Sequence, residues 1–415
     1  MDQLYPHCAG IDVHDKFLMV CRLHVDDQGQ TQRTLRRFET MLDQLRVLAH
    51  WLAETGTTHV VMESTGVLWQ PVYNVLEDHC TVWLVNAKHV KNVPGRKTDV
   101  KDSEWLAQLL QAGLLRPSFI PDRPQRELRD LVRYRLNLVD DRSRTVNRIQ
   151  KVLQDANIKL SAVATDIQGK SAQEMLAAIV QGAETPAELA DHAQRRMRSK
   201  IPELERALSG LVRDHHRFML EQLLKQLAFL DEEIGVLEER IEQEVAALPP
   251  FAEAVPQLDT IPGINRLGAI TILAEIGVEM SRFGSADKLA AWAGMAPGNN
   301  ETGGKARPAA TRKGNTYLRR LLTQAAHAAA RKKDSALRAR YYRLVQRRGK
   351  ARAAMAVGRC ILEIVYHILE RGETYHELGA DYYERRNTKA RIRYLTRELE
   401  KLNLKVTVEA ANEAA

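Results

Sequence analysis

Leu220, Leu223, Leu227, Leu230, Ile234, Leu237 and Ile241 recur alternately three and four positions apart. A strand cannot use that spacing, because its side chains alternate between faces with a period of two. On a helix the seven residues form one seam with charged flanks, and a seam this long has to be covered by another long helix. The spacing predicts a coiled coil or a long helical hairpin. Strand signals are absent from about Gln125 to Leu248, and the three prolines of "ALPPFAEAVPQ" mark a boundary after it.

The chain before that region has a different character. "CAGIDVHD" and "KFLMVCRLHV" pattern as a hairpin, and "TQRTLRRFE" as a third strand. "MLDQLRVLAHWLAE" places Leu42, Leu45, Leu48, Ala49 and Leu52 on one helical face. "THVVMEST" follows as a buried strand, "WQPVYNVLED" as a helix, "TVWLVNA" as a strand and "DVKDSEWLAQLLQAG" as a helix. Three strands followed by helix, strand, helix, strand, helix predict an α/β domain with a mixed sheet over residues 1–124. Residues 125–250 form the helical, coiled-coil region. Residues 251–380 pattern as a helical domain rich in small residues, and residues 381–415 as a charged helix with a frayed tail. The fold class is therefore α/β plus all-α. "TIPGINRLGAI" is similar to a helix-hairpin-helix, whose turn amides contact a phosphate backbone, with Asn265 in place of the usual second glycine.

Four acids in the first region stand out. Asp12 lies inside an apolar strand, Glu63 ends another, and Asp99 and Asp102 are three apart at a helix start, on one face. An acid within an apolar strand is costly unless it is paired or bound to a cation. Singly, such acids usually cap or answer a helix dipole. Together, at sheet ends, they could hold two Mg²⁺, since oxygen-rich sites suit that hard ion, and two metals can clamp an in-line phosphoryl transfer. This order of acids resembles the ribonuclease H-like fold in the version of the Holliday-junction resolvase RuvC. Sugar kinases and actin-like ATPases share the opening "GID" strand. They follow it with a phosphate loop rich in Gly, Ser and Thr, where this chain has Val13-His14-Asp15.

Charge is segregated. Gly303 to Arg359 holds seventeen Lys and Arg against a single acid, Asp334, a surplus twice the whole-chain net of +8. Such a surface answers a polyanion, and its binding would weaken with salt. Tyr317, Tyr341 and Tyr342 are interleaved with it, placed either to stack on unpaired bases or to fill the core. Just before it, "APGNNETGGKARPAATRKGN" carries no large apolar side chain and places Thr302 between Glu301 and Gly303. The four cysteines are scattered without a C-x-x-C pair, which argues against a zinc ribbon or a disulfide framework. No signal peptide or run of about 18 apolar residues is evident, so the chain patterns as cytoplasmic with no membrane segment.

Taken together, "GIDVHDKF", "VVMESTGVLWQPVYNVL", "NAKHVKNVPGRKTDVKDSEWLAQLL", "IPGINRLGAITILAEIG", "FGSADKLAAWAGMAPGNNETGGK" and "TRKGNTYLRRLL" resemble the insertion-sequence-110 family. These are the DEDD transposases, or bridge-RNA-guided recombinases, of bacterial insertion sequences. The resemblance covers nearly the whole chain. It implies that Asp12, Glu63, Asp99 and Asp102 form an acidic tetrad binding Mg²⁺ or Mn²⁺. It also implies a structured non-coding RNA that pairs with target and donor DNA, and a homo-oligomer, dimer or tetramer, built through the coiled coil. One protomer's acidic domain would share an active site with another's transposase domain. The family's serine nucleophile follows "APGNNE", where this chain has Thr302. Lys305, Arg307, Arg312 and Lys313, with Arg319 and Arg320 beyond, would then bind the nucleic-acid backbone. Three readings of Thr302 stand: a nucleophile more hindered than serine, a sign of a weakened nucleic-acid-binding copy, or a bystander in a RuvC-type nuclease or junction resolvase using metal-activated water.

Overall fold

The computed structural model describes residues 4–64, 66–86, 90, 102–298, 301–302, 305–306, 310–311, 313–401 and 406–407. The chain divides into two compact units, Met1–Pro121 and Asp122–Ala415.

The first unit is built on β1 (His7–Val13), β2 (Phe17–Val25), β3 (Thr31–Glu39), α1 (Leu42–Glu54), β4 (His59–Glu63), α2 (Trp69–Leu76), β5 (Thr81–Val85) and α3 (Asp102–Gln111). Its sheet runs β3-β2-β1-β4-β5. Short turns join β1, β2 and β3, so they pair antiparallel, while helical crossovers make β1–β4 and β4–β5 parallel. This mixed sheet is compatible with a ribonuclease H-like domain. Alternation along the strands gives the sheet two buried faces. Ala9, Ile11, Val60 and Met62 pack with α1 and α2, while Cys8, Val61 and Val85 pack with Leu106, Ala107 and Leu110 of α3. One residue departs from the expected helical stripe: Leu42 is exposed. Trp51 is buried instead and turns the apolar face of α1 toward Phe38 of β3, 5.7 Å away between ring centroids.

The second unit is helical: α4 (Arg123–Asp155), α5 (Leu160–Val163), α6 (Lys170–Gln181), α7 (Pro186–Asp191), α8 (Ile201–Leu208), α9 (Asp214–Ala247), α10 (Pro249–Asp259), α11 (Arg266–Ile276), α12 (Ala286–Trp292), α13 (Thr316–Ala329), α14 (Ala336–Arg348), α15 (Lys350–Arg371) and α16 (Tyr382–Glu400). The heptad seam lies on α9, and its partner is in the same chain. Leu220, Leu223 and Leu227 share a core with Val146, Ile149 and Leu153 of α4, whereas Ile241 and Val245 share another with Leu128 and Val132. The two helices, 33 and 34 residues long, therefore form an antiparallel hairpin tying two cores together. Ion pairs Arg135–Glu238 and Arg142–Asp231 follow the same register. Ile234 and Leu237, between the cores, are half-buried.

The Pro-Gly turn between α10 and α11 is a packing device. Gly263 has φ +91°, and a Cβ there would lie 2.2 Å from the Ala325 carbonyl oxygen of α13. Asn265, at the position of the second glycine, caps α11 by accepting from the Gly268 amide at 2.9 Å. The turn thus packs one side against α13, with Asn265 spent as a helix cap, while Gly263, Asn265 and Arg266 remain exposed. Among the described residues no helix is long and apolar enough to cross a membrane.

Candidate nucleic-acid active site

Asp12 and Glu63 stand at the C-terminal ends of neighbouring parallel strands, one step beyond the paired residues Ile11 and Met62. By strand alternation both belong to the face that carries Cys8 and Val61, the face covered by α3. Gly10, on that face two residues before Asp12, lets the helix come close. A Cβ at Gly10 would lie 2.1 Å from the Ser103 carbonyl oxygen and 2.5 Å from the Ala107 nitrogen. Asp102, the first residue of α3, immediately precedes Ser103. The helix start is also held from β3, where Arg33 donates to Glu104 at 2.5 Å. That hydrogen bond raises the Arg33 guanidinium above its usual pKa. The Asp12 carboxylate meets His14 Nε2 at 3.0 Å.

Asp12, Glu63 and Asp102 thus share one end of one sheet face. Asp99 lies outside the described residues. Among the described residues no three His, Cys, Asp or Glu side chains close into a metal-holding group. The donors available are carboxylate oxygens, the set a hard divalent cation takes, and in that chemical sense the residues fit such an ion.

In the second unit the "APGNNETGGKARPAATRKGN" stretch is not a structureless loop. Pro297 and Thr311 form a bridge, and the Gly298 amide donates to the Ala310 carbonyl at 3.0 Å. Further out, β6 (Glu301–Thr302) and β7 (Lys305–Ala306) pair antiparallel, with Thr302 opposite Lys305. Two-residue strands are too short for a periodic signal, so only a loop was legible there. Arg307 and Arg312 lie outside the described residues, as do Gly303 and Gly304.

The base of this hairpin rests on a buried carboxylate that is not one of the four acids singled out in the sequence. Glu275 of α11 is fully buried, and Arg133 of α4 holds both its oxygens, through Nε at 2.7 Å and Nη2 at 2.8 Å. Asn315, the residue that ends the stretch, donates its Nδ2 to Glu275 Oε2 at 2.5 Å while its Oδ1 caps α13 at Leu318. Arg133 also lies over the Tyr317 ring, 4.9 Å from its centroid. Burial opposes the charge of Arg133, but its hydrogen bonds to Glu275 outweigh that and raise it above its ordinary pKa. One turn earlier on α4, Arg129 donates to the Ala274 and Glu275 carbonyls, and burial pushes it down to about 10. A signal for Glu275 was present: like Asp12, it is an acid in an apolar run, "AITILAEIG".

The basic stretch separates into held and unheld cations. Arg320 is paired through both terminal nitrogens with Asp140 of α4, each at 2.5 Å. Arg359 is paired with Glu363 and Asp287. Arg340 is turned inward onto the Tyr383 hydroxyl at 3.1 Å. Lys313 is exposed and Arg319 half-buried. Arg331, Lys332, Lys333, Arg343, Arg347 and Arg348 are exposed, with no acidic partner among the described residues. The tyrosines divide similarly. Tyr341 is core and bonds His327, Tyr317 packs on Arg133, and Tyr342 is exposed with Arg338 5.1 Å above its ring.

Two family models match the chain. Residues 9–158 match the DEDD transposase family of IS110, described as transposase, and residues 255–342 match the transposase IS116/IS110/IS902 family. The transposase for insertion sequence element IS1111A of Coxiella burnetii is 28% identical over 303 residues, 70% of this chain and 72% of that protein. A protein named "Probable family 20 transposase" from Pseudomonas aeruginosa is 27% identical over 323 residues, 76% of this chain and 85% of its own length.

Proposed function

The chain belongs to the IS110 family of DEDD transposases and is a DNA transposase, and from that premise we propose RNA-guided cutting and rejoining of DNA strands through a covalent Thr302–DNA ester. The family depends in general on a divalent metal. Asp12, Glu63, Asp99 and Asp102 would hold it, and Mg²⁺ is the ion that this oxygen-only set suits. Bound there, the metal supplies polarisation of the scissile phosphate and stabilises its developing charge. The observation that supports the acidic site most is the shared end of one sheet face, where Asp12 and Glu63 terminate parallel strands and Gly10 admits the start of α3.

The Thr302 hydroxyl forms a new bond to phosphorus as a strand P–O bond breaks. Its proton is lost, and the freed strand end leaves as a hydroxyl. The ester keeps the energy of the phosphodiester bond for rejoining. Lys305, Arg307, Arg312 and Lys313 neutralise the flanking backbone, and Gly303 and Gly304 would let the chain approach the reacting phosphate closely. The exposed cations of α14 and its preceding turn extend that field over the guide RNA and the DNA.

In this reading residues 1–124 are the nuclease domain, 125–250 the assembly region, 251–380 the transposase domain and 381–415 a charged tail. Assembly into dimers or tetramers uses the outer side of α9. There Phe218, Phe229 and Val236, each more than half exposed, recur at separations of eleven and seven residues and so share one stripe.

The test is to incubate the protein with element DNA, its flanking non-coding RNA and Mg²⁺, then to look for protein–DNA adducts on denaturing gels. We expect adducts that require RNA and vanish in Thr302→Ala and Asp102→Ala. Full recombination by Thr302→Ala would hand the chemistry to activated water. Cleavage of four-way junctions without RNA would make the protein a resolvase. Binding in EDTA with no cleavage under any divalent ion would make it a weakened copy.

A further inference from the structure

We propose that Glu275, Arg133 and Asn315 form a positioning anchor for the hairpin that carries Thr302, setting the rate of strand cleavage rather than the affinity for nucleic acid. This rests on Thr302 acting as proposed above. Between Met295 and Leu318, both buried, residues 296–298, 310–311 and 313–317 stay out of the hydrophobic core. Two feet tie the base of the hairpin to the helices. One foot is a backbone contact: a Cβ on Gly314 would lie 2.3 Å from the Gly294 nitrogen and 2.6 Å from the Ala293 carbonyl oxygen. The other is Asn315, whose amide binds Glu275 and whose carbonyl oxygen caps α13.

Glu275 is an expensive choice for a foot. It lies at zero exposure on a helix whose neighbours Ala274 and Ile276 are equally buried. An ion pair in such a place is at best a weak source of stability, and hydrophobic replacements are often as good or better. What the carboxylate offers is direction. The Arg133 fork fixes its plane, Tyr317 holds the guanidinium from the other side, and the remaining lone-pair direction on Oε2 receives Asn315. Every group in the cluster is hydrogen-bonded, the condition under which a buried polar network rigidifies. The backbone pairings beyond Asn315, the Pro297–Thr311 bridge and the β6–β7 pairs, are those through which that orientation would reach Thr302.

The experiment uses the full chain with its RNA and DNA. Asn315→Ser keeps a capping oxygen and removes the amide donor. Glu275→Gln keeps the shape of the cluster and removes its charge, and serves as a second variant should the first fail to fold. Four quantities are read: single-turnover cleavage at saturating DNA, the DNA dissociation constant at fixed salt, the thermal midpoint, and hydrogen exchange of the amides over residues 296–315. For Asn315→Ser we expect cleavage slower by about ten- to a hundredfold, the range that misplacement of a reacting group costs. Affinity and thermal midpoint should stay near wild type while the hairpin amides exchange faster. Unchanged cleavage and exchange in a folded variant would overturn the anchor, as would losses of rate and affinity that merely track a fallen midpoint. The exchange measurement does not involve the Thr302 hydroxyl. Faster exchange, together with adducts that persist in Thr302→Ala, would refute the nucleophile and leave the anchored hairpin standing.

Discussion

The two units hold their candidate chemistry by opposite means. In the first, each described acid sits on a regular element whose other residues are core: Ile11 beside Asp12, Met62 beside Glu63, Leu106 on the helix that Asp102 begins. Hydrophobic packing places the carboxylates as a by-product of folding the sheet. In the second, Thr302 sits on a strand of two residues, in a hairpin whose base is tied back through a glycine contact and a buried ion cluster. The lesson is that a site on a sheet edge inherits its precision, whereas a site on a hairpin needs a separate polar anchor. The comparison predicts different failures: substitutions of the acids at the sheet end should remove chemistry without loosening the fold, and substitutions around the hairpin should alter geometry first.

The largest expected effect is at the sheet end. Asp102→Ala removes an exposed carboxylate and should lower strand cleavage by about a thousandfold, ~4 kcal/mol of transition-state stabilisation, with the thermal midpoint unchanged. Single-turnover cleavage beside a melting curve measures both. A variant that melts early would show that the acid serves the fold, and the contrast between the units would collapse. Gly10→Ala attacks the same region through packing. Its added methyl meets main-chain atoms of Ser103 and Ala107, which cannot swing away. A loss of about 2–3 kcal/mol in unfolding free energy by urea titration is expected, with cleavage lost as well.

What was legible in the sequence follows the same division. The third strand was bounded at Thr31 and Glu39, as the structure has it, because alternation and flanking turn residues agree there. The long helix of the seam was equally plain, and its cover proved to be α4 of the same chain. Period says that a stripe must be buried, not by what. Gly10 was visible only as part of a motif, since its role depends on a helix some ninety residues later. Arg133 and Asn315 could not be read at all, being joined through a carboxylate 142 and 40 residues from them. The hairpin was legible as a polar stretch but not as strands, because backbone pairs over two residues leave no pattern. Asp99, Arg307 and Arg312 lie outside the described residues.

A smaller effect probes the hairpin directly. Thr302→Ser removes one methyl from the proposed nucleophile. A β-branched hydroxyl is confined at χ1 and crowded for in-line attack. Thr302→Ser should therefore form adducts faster, by less than about tenfold or ~1.4 kcal/mol, with unchanged DNA affinity. Time courses of adduct formation test this. A serine variant slower than wild type would mean that the hairpin is shaped around the methyl.

The smallest effect decides whether Arg320 belongs to the anchor or to the nucleic-acid surface. Its hydrogen bonds to Asp140 hold that carboxyl below its usual pKa. A folded-state value lowered in this way gives stability that is present above the unfolded value, near pH 4, and is lost as the pH falls through the folded one. With the partners 43% and 32% exposed, solvent leaves the pair worth about 0.5 kcal/mol or less, so Asp140→Asn should barely move the melting point at neutral pH. DNA binding is the sharper measure. If Arg320 turns to phosphate when released, Asp140→Asn should tighten binding about two- to threefold and steepen the salt dependence by about one counterion. Unchanged affinity and slope would keep Arg320 in the bracing between α13 and α4, beside Arg133. The cations facing DNA would then be those without an acidic partner among the described residues: Arg331, Lys332, Lys333, Arg343, Arg347 and Arg348.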